Sequence, residues 1–285
     1  MRIDRLLRDE NVTISCELFP PKAGQPLDDA KRIVRETVAL APTFISVTCG
    51  AGGSTAGNTV EIASEAEHDG AIALAHVICM GSQRQKIDET LSQLRQAGIE
   101  NILALRGDVP PTGEITGDFR HASELTEYIL QKDDFCVGGA CYPEMHPESA
   151  TIEQDMDGLK RKVDAGCAFL TTQMFFDNSI LYSFLYRLLK RNVNVPVLAG
   201  IMPVTNAKQI DRIVKLSSTV LPRRFRSIVD RFGANPAAMK QAGIAYATDQ
   251  IIDLIANGVN NIHIYTMNKP DIAGSILRNL SEIFR

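Results

Sequence analysis

Short β-branched, apolar runs recur along the chain roughly every thirty residues, each followed by a stretch with the amphipathic spacing of a helix. The runs Val12–Leu18, Thr43–Thr48, Ile72–Ile78, Ile102–Leu105, Cys136–Ala140, Phe169–Gln173, Val195–Ile201 and Asn261–Tyr265 predict eight strands. Helix-like patterns between them include Leu27–Leu40, Arg84–Gln96, Ala122–Gln131 and Asp155–Ala165. Gly98, Gly166 and Gly258 stand at helix ends, placed for left-handed caps that lead into the next strand. Eight strands alternating with helices, with no break in composition, predict an α/β fold: one (β/α)8 TIM barrel spanning 1–285. Pro222 and Pro236 punctuate a stretch too long for one crossover and predict an extra helix before the last strand. A doubly wound open sheet is the alternative. Its strongest sign, Gly-x-Gly-x-x-Gly after the first strand, is absent, and Pro20-Pro21-Lys22 stands there instead.

Composition narrows the function classes more than it names one. The 30 basic and 34 acidic residues leave a net charge of −4, which gives no long-range field suited to nucleic acid or an anionic membrane. No apolar run is long enough to span a bilayer, and the opening MRIDRLLRDENVTIS is charged where a signal peptide is apolar. The expected location is the cytoplasm. Six cysteines without a Cys-x-x-Cys pair predict free, buried thiols rather than a metal site.

Barrel enzymes carry their active sites at the carboxyl ends of the strands. The residues there are Glu17, Thr48, His76, Arg106-Gly107-Asp108, Tyr142, Gln173, Met202-Pro203 and Tyr265. All but one of these ends carry a group that hydrogen-bonds or ionises, whereas the strand starts are mostly apolar. Glu17 is an acid inside an apolar strand, where desolvation raises a carboxyl pKa and makes a candidate general acid. Gly107 lets the backbone approach a ligand between Arg106 and Asp108, although those two charges also suit each other as partners. Tyr142 and His146 lie between prolines, as a rigid loop offering a flat face and a ring nitrogen. Arg161 and Lys162 belong to a basic run on a helix, read either as a solvated face or as diphosphate ligands. Gln173 offers the donor–acceptor amide that a pterin matches, and Phe175 and Phe176 after it read as core. A metal site built on His76 and His146 lacks any His-x-x-x-His pair. His121 and His263 stand isolated in the sequence, and His68 reads as a solvated helix residue.

Taken in order, Glu-Leu-Phe-Pro-Pro, Ser-Val-Thr-x-Gly-Ala, Leu-Arg-Gly-Asp-x-Pro-Pro, Tyr-Pro-Glu-x-His-Pro-Glu, Leu-Lys-Arg-Lys-Val-Asp-Ala-Gly, Thr-Gln-x-Phe-Phe-Asp, Gly-Ile-Met-Pro-Val and His-Ile-Tyr-Thr-Met-Asn resemble the bacterial 5,10-methylenetetrahydrofolate reductase family over nearly the whole chain. The resemblance implies an oxidoreductase of one-carbon metabolism, feeding methionine biosynthesis. Reduced nicotinamide (NADH or NADPH) would reduce a non-covalent FAD, which then reduces 5,10-methylenetetrahydrofolate to 5-methyltetrahydrofolate. It implies catalytic roles for Glu17, as general acid, and for Asp108. It implies FAD contacts at Thr48, His76, Arg106, Gly107, Asp108, His121, Ala122, Ala140, Tyr142, His146, Asp155, Arg161 and Lys162. Substrate contacts are implied at Glu17, Gln173, Gln209 and Lys269, with no metal, a homo-oligomeric state and no regulatory domain. The chain departs from the pattern at Cys49, Ala56, Asn58, His121, Gly158, Ile213 and Lys269, mostly on the nicotinamide and folate side. Two other readings therefore stay open: a reductase fed electrons by a partner subunit or ferredoxin, and a barrel that binds a pterin without redox chemistry.

Overall fold

The computed structural model describes residues 1–21, 24–50, 56–108, 116–210, 213 and 219–284. The glycine run after Gly50 and the Pro110-Pro111 turn expected after Asp108 fall at least partly outside the described residues. In chain order the elements are α1 (Ile3–Leu6), β1 (Thr13–Leu18), α2 (Asp28–Val38), β2 (Ile45–Val47), α3 (Ala56–His68) and β3 (Ala73–Ile78). Next come α4 (Arg84–Gln96), β4 (Asn101–Leu105), α5 (Ala122–Lys132), β5 (Cys136–Cys141), α6 (Ile152–Asp164) and β6 (Phe169–Thr172). The chain continues with α7 (Asn178–Lys190), β7 (Val197–Ile201), α8 (Arg223–Phe232), α9 (Pro236–Ala256), β8 (Asn261–Tyr265) and α10 (Pro270–Asn279). All eight strands run parallel in sequence order, and β8 pairs with β1 to close the barrel. Each expected strand is present, with its ends moved by two residues at most.

Alternation along the strands sorts side chains between two environments. Ile14, Ala75, Val77, Ile102, Ala104, Leu170, Ala199, Ile201, Ile262 and Ile264 pack against the helices in two large clusters. The opposite parity fills the barrel interior. Its deep part is apolar: Phe44, Leu74, Leu103, Cys136, Phe169 and Leu198 meet Ile3 and Leu7, which close the bottom. Asn101 seals that end by accepting from the Ile3 N–H (2.8 Å) and donating to the Met1 carbonyl (3.0 Å).

Punctuation explains the helix ends. Gly98, Gly166 and Gly258 hold φ of +77°, +104° and +83°, the left-handed caps expected of them. Pro222 caps α8, and Pro236 opens α9 behind Asn235, whose side chain accepts from Ala237 and Ala238 N–H. The extra helix α8 lays Phe225 on Phe176, their centroids 4.9 Å apart, in a cluster with Val204, Ile213 and Met239. One boundary is corrected. Helix α6 begins at Ile152 rather than Asp155, because Thr151 is its N-cap and its Oγ1 accepts from Gln154 N–H. Five of the six cysteines are buried free thiols, and Cys49 is half-buried. No helix among the described residues is long and apolar enough to cross a membrane.

Candidate active site

Toward the carboxyl ends of the strands the interior changes character. Glu17 on β1 is buried and points inward, and its Oε2 lies 3.5 Å from His263 Nε2 and 3.9 Å from His76 Nε2. Each imidazole also has a hydroxyl neighbour: Ser46 Oγ is 2.7 Å from His76 Nε2, and Ser15 Oγ is 2.8 Å from His263 Nδ1. Desolvation pushes His76 down to about 4, against the opposing pull of the Glu17 carboxylate, so this ring is neutral near neutral pH. His263 is therefore not the isolated residue that the sequence suggested. Parallel pairing of β1 with β8 sets Ser15 opposite His263 and Glu17 opposite Tyr265. The shared inward parity of Ser15, Glu17, His263 and Tyr265 is the signal that finds it.

The strand β8 exit then fastens the β1 exit. Thr266 Oγ1 donates to the Glu17 carbonyl (2.5 Å), while the Asn268 amide donates to the Phe19 carbonyl (2.9 Å) and accepts from Phe19 N–H (2.8 Å). Asn268 holds φ of +55°, a conformation Asn tolerates better than most residues. Tyr265 donates its hydroxyl to the Thr172 carbonyl (2.6 Å), and burial raises its pKa well above the ordinary value. The His-Ile-Tyr-Thr-Met-Asn run thus holds the backbone that carries Glu17. Sequence reading missed this positioning role.

A separate cavity lies over the β4 and β5 exits, the start of α5 and the length of α6 from Gln154 to Lys162. Arg106, His121, Ala122, Ala140, Tyr142, His146, Asp155, Arg161 and Lys162 all line it, together with Glu148 and Gly158. The Tyr142 and His146 rings meet edge to face at 4.6 Å. Lys162 donates to the Ala140 carbonyl, and burial pushes its amine down. Burial pushes Asp155 up, although the His146 N–H donates to it at 3.2 Å. Burial and the nearby Arg106 charge push His146 down. Arg106 does not pair with Asp108, the partner its sequence neighbourhood offered. It makes a bidentate bond to Glu148 at 2.6 and 2.5 Å, which raises its pKa further. Among the described residues, no group of three His, Cys, Asp or Glu side chains is arranged to hold a metal ion.

The remaining expected site residues lie outside that cavity. Thr48 is half-buried at the β2 exit, its N–H donating to the Leu18 carbonyl. His76 lies in the interior beside Glu17. Gly107 holds φ of +86°, and a Cβ there would fall 2.5 Å from the Ile78 side chain, so the turn requires glycine. Asp108 is exposed; its charge reaches Tyr142, whose phenol is raised first by burial and then by this carboxylate. Gln173 is half-buried, and its Oε1 accepts from Met174 N–H. Gln209 and Lys269 are half-buried near the β7 and β8 exits, Lys269 as the N-cap of α10. Phe175 and Phe176 are core residues, as expected.

A closed (β/α)8 barrel with a buried acid at the β1 exit and a cation-lined cavity beside it has the layout of a barrel enzyme. The family model for methylenetetrahydrofolate reductase matches residues 2–281. The chain belongs to that family. It is 30% identical over 270 residues to the 5,10-methylenetetrahydrofolate reductases of Escherichia coli and Pectobacterium carotovorum, covering 94% of this chain and 90% of each relative. It is 34% identical over 299 residues to methylenetetrahydrofolate reductase (NADH) 1 of Arabidopsis thaliana, covering 99% of this chain and 50% of that one. The chain thus spans about half the length of the plant relatives it matches. A Clostridium thermocellum protein that binds two copies of 5-methyl-5,6,7,8-tetrahydrofolic acid shares the fold, with a TM-score of 0.65 at 14% identity over 100% of this chain and 99% of that one.

Proposed function

We propose that this chain binds FAD and reduces 5,10-methylenetetrahydrofolate to 5-methyltetrahydrofolate, with NADH or NADPH as electron donor and Glu17 as general acid. The observation that carries the reading is Glu17 itself, a buried carboxyl at the β1 exit in a chain of this family. The cavity beside it suits a dinucleotide. Arg106, Arg161 and Lys162 outnumber the acids Glu148 and Asp155 there, and the small Ala122, Ala140 and Gly158 leave room for a flat group. Arg161 and Lys162 would hold the diphosphate, with Tyr142 and His146 against the nucleotide. When bound, FAD would carry hydride from the nicotinamide to the folate.

The protein's share of the chemistry is proton delivery and charge placement. Opening the five-membered ring of the substrate breaks a C–N bond, whose electron pair goes to the leaving nitrogen. Glu17 would give that nitrogen a proton and leave an iminium cation on the one-carbon unit. The Asp108 carboxylate, at the mouth above β4, would stabilise that cation. Gln173 would bind the pterin through its amide, and Gln209 and Lys269 would meet other parts of the folate.

One observation favours a second electron source. Ile213, one of the departures from the family pattern, is buried among Phe176, Phe225 and Met239 and offers no ring to a nicotinamide. Anaerobic spectroscopy separates the readings. The purified chain should take up FAD, bleach with NADH or NADPH, and recover its colour when 5,10-methylenetetrahydrofolate is added. A chain that recovers with folate after chemical reduction but never bleaches with either nucleotide receives its electrons from a partner. A chain that takes up no flavin is not this enzyme.

A further inference from the structure

The loop between β5 and α6 borders the cavity over the β4 and β5 exits and is tied down on two sides. Toward α6, His146 N–H donates to Asp155 Oδ2 at 3.2 Å, and Ser149 N–H donates to the His146 carbonyl at 2.9 Å. Toward β4, the Glu148 carboxylate accepts from both terminal nitrogens of Arg106 at 2.6 and 2.5 Å, while Arg106 Nε donates to the Gly107 carbonyl at 3.2 Å. A guanidinium carries five N–H groups, so these three bonds fix its plane and leave two groups for a ligand. Both residues line the cavity. The Glu148 side chain is 52% exposed and that of Arg106 21%, so the acid stands at the rim and holds the cation from outside.

The main chain of the same residue acts on the neighbouring ring. Glu148 N–H donates to His146 Nδ1 at 3.2 Å. A backbone N–H can only donate, so Nδ1 accepts and carries no hydrogen. Burial, and after it the Arg106 charge, pushes the imidazole pKa down, which agrees with a neutral ring. Its one hydrogen then lies on Nε2. His146 therefore meets a nucleotide as a hydrogen-bond donor rather than as a cation.

On charge alone, a carboxylate at the rim of a site for an anionic group is unfavourable. Arg106, Arg161 and Lys162 would attract a diphosphate more strongly without Glu148. What the acid contributes is alignment. A free arginine side chain samples many rotamers, and ordering it before the ligand arrives removes that cost from binding.

We infer that Glu148 is a positioning residue for the bound dinucleotide, aiming Arg106 through its carboxylate and fixing His146 as an Nε2–H donor through its backbone N–H. This rests on the proposed binding of FAD in that cavity.

Glu148→Gln separates alignment from charge, because the two predict opposite signs. Alignment predicts FAD binding about tenfold weaker than in the wild type, and equal or tighter binding overturns the inference. Glu148→Asp keeps a carboxylate on a shorter stem and should fall between the wild type and Glu148→Gln; affinity below that of Glu148→Gln contradicts alignment. Arg106→Ala should weaken binding about tenfold or more, and adding Glu148→Gln to it should cost nothing further. A double variant weakened by both factors would mean that Glu148 acts without Arg106. Flavin-free Glu148→Gln should melt with the wild type, since a rim ion pair adds little stability, and a lowered melting temperature would make the acid a structural brace instead. In nitrogen-15 spectra of the flavin-free chain near neutral pH, the imidazole signal lost in His146→Gln should show a bare Nδ1 and a protonated Nε2. A protonated Nδ1 overturns that half of the inference. If the wild type takes up no flavin, the proposed function fails, and the His146 spectrum still decides whether Glu148 sets the ring.

Discussion

The same eight strands build two unlike interiors, one near the amino ends and one near the carboxyl ends. Moving two residues along a strand exchanges Phe44 for Ser46, Leu74 for His76, Phe169 for Thr171 and Asn261 for His263. The deep part is sealed by Ile3 and Leu7 and consists mainly of apolar side chains. The outer part holds Ser15, Glu17, Ser46, His76, Thr171 and His263, all buried. Buried polar groups lower stability unless each is partnered, and Thr171 Oγ1 has no partner among the described residues. The deep layer is arranged for folding. The outer layer makes sense as binding and proton handling, at some expense in stability.

The sharpest way to break that division is to damage the floor. Phe169→Ala removes a fully buried ring and should lower unfolding free energy by about 3–5 kcal/mol in chemical denaturation, without changing the ratio of the two half-reaction rates. A change in that ratio would mean that the floor takes part in the chemistry.

The outer layer should show its expense as pH dependence. His76 titrates near 4 when folded, against an ordinary value of 6.5, so the unfolded chain binds more protons between those values. The wild type should therefore lose about 3 kcal/mol as pH falls from 6.5 to 4, with no further contribution from this group below that. Denaturation curves of the wild type and His76→Gln across this window check it, and parallel curves would place the imidazole in contact with water.

How much of this was legible in the sequence depends on the span of the interaction. Strands, caps and the Pro222 and Pro236 punctuation are local, and period and turn chemistry placed them to within a residue or two. Glu17, His76 and the Arg106–Asp108 turn are legible too, as polar groups at strand ends. His263 is not, because its contact with Glu17 joins residues 246 positions apart and exists only once β8 pairs with β1. Local spacing offers Arg106 the carboxylate of Asp108 two residues on, whereas the bidentate partner, Glu148, lies 42 residues away on the loop before α6. Apolar period alone starts that helix at Asp155, because Thr151, the actual cap, stands in a run with no such period.

Two smaller effects sharpen the boundary of the site. Arg161→Ala, at an exposed position lining the cavity over β4 and β5, should weaken FAD binding about tenfold to a hundredfold while leaving the melting temperature of the flavin-free protein unchanged. Equal FAD affinity would move the diphosphate elsewhere. Thr151→Ala removes the α6 cap and should lower stability by about 1 kcal/mol, with only a slight loss of FAD affinity. A larger loss of affinity than Arg161→Ala would make helix position, rather than charge, the determinant of binding.

The central claim is that Glu17 serves the folate and not the donor. Rapid mixing of Glu17→Gln under anaerobic conditions tests it most directly, with each half-reaction followed through flavin absorbance. The account predicts flavin reduction by NADH or NADPH at the wild-type rate, and reoxidation by 5,10-methylenetetrahydrofolate slowed by about two decades or more. Equal losses in both half-reactions, or full-rate reoxidation, would contradict it.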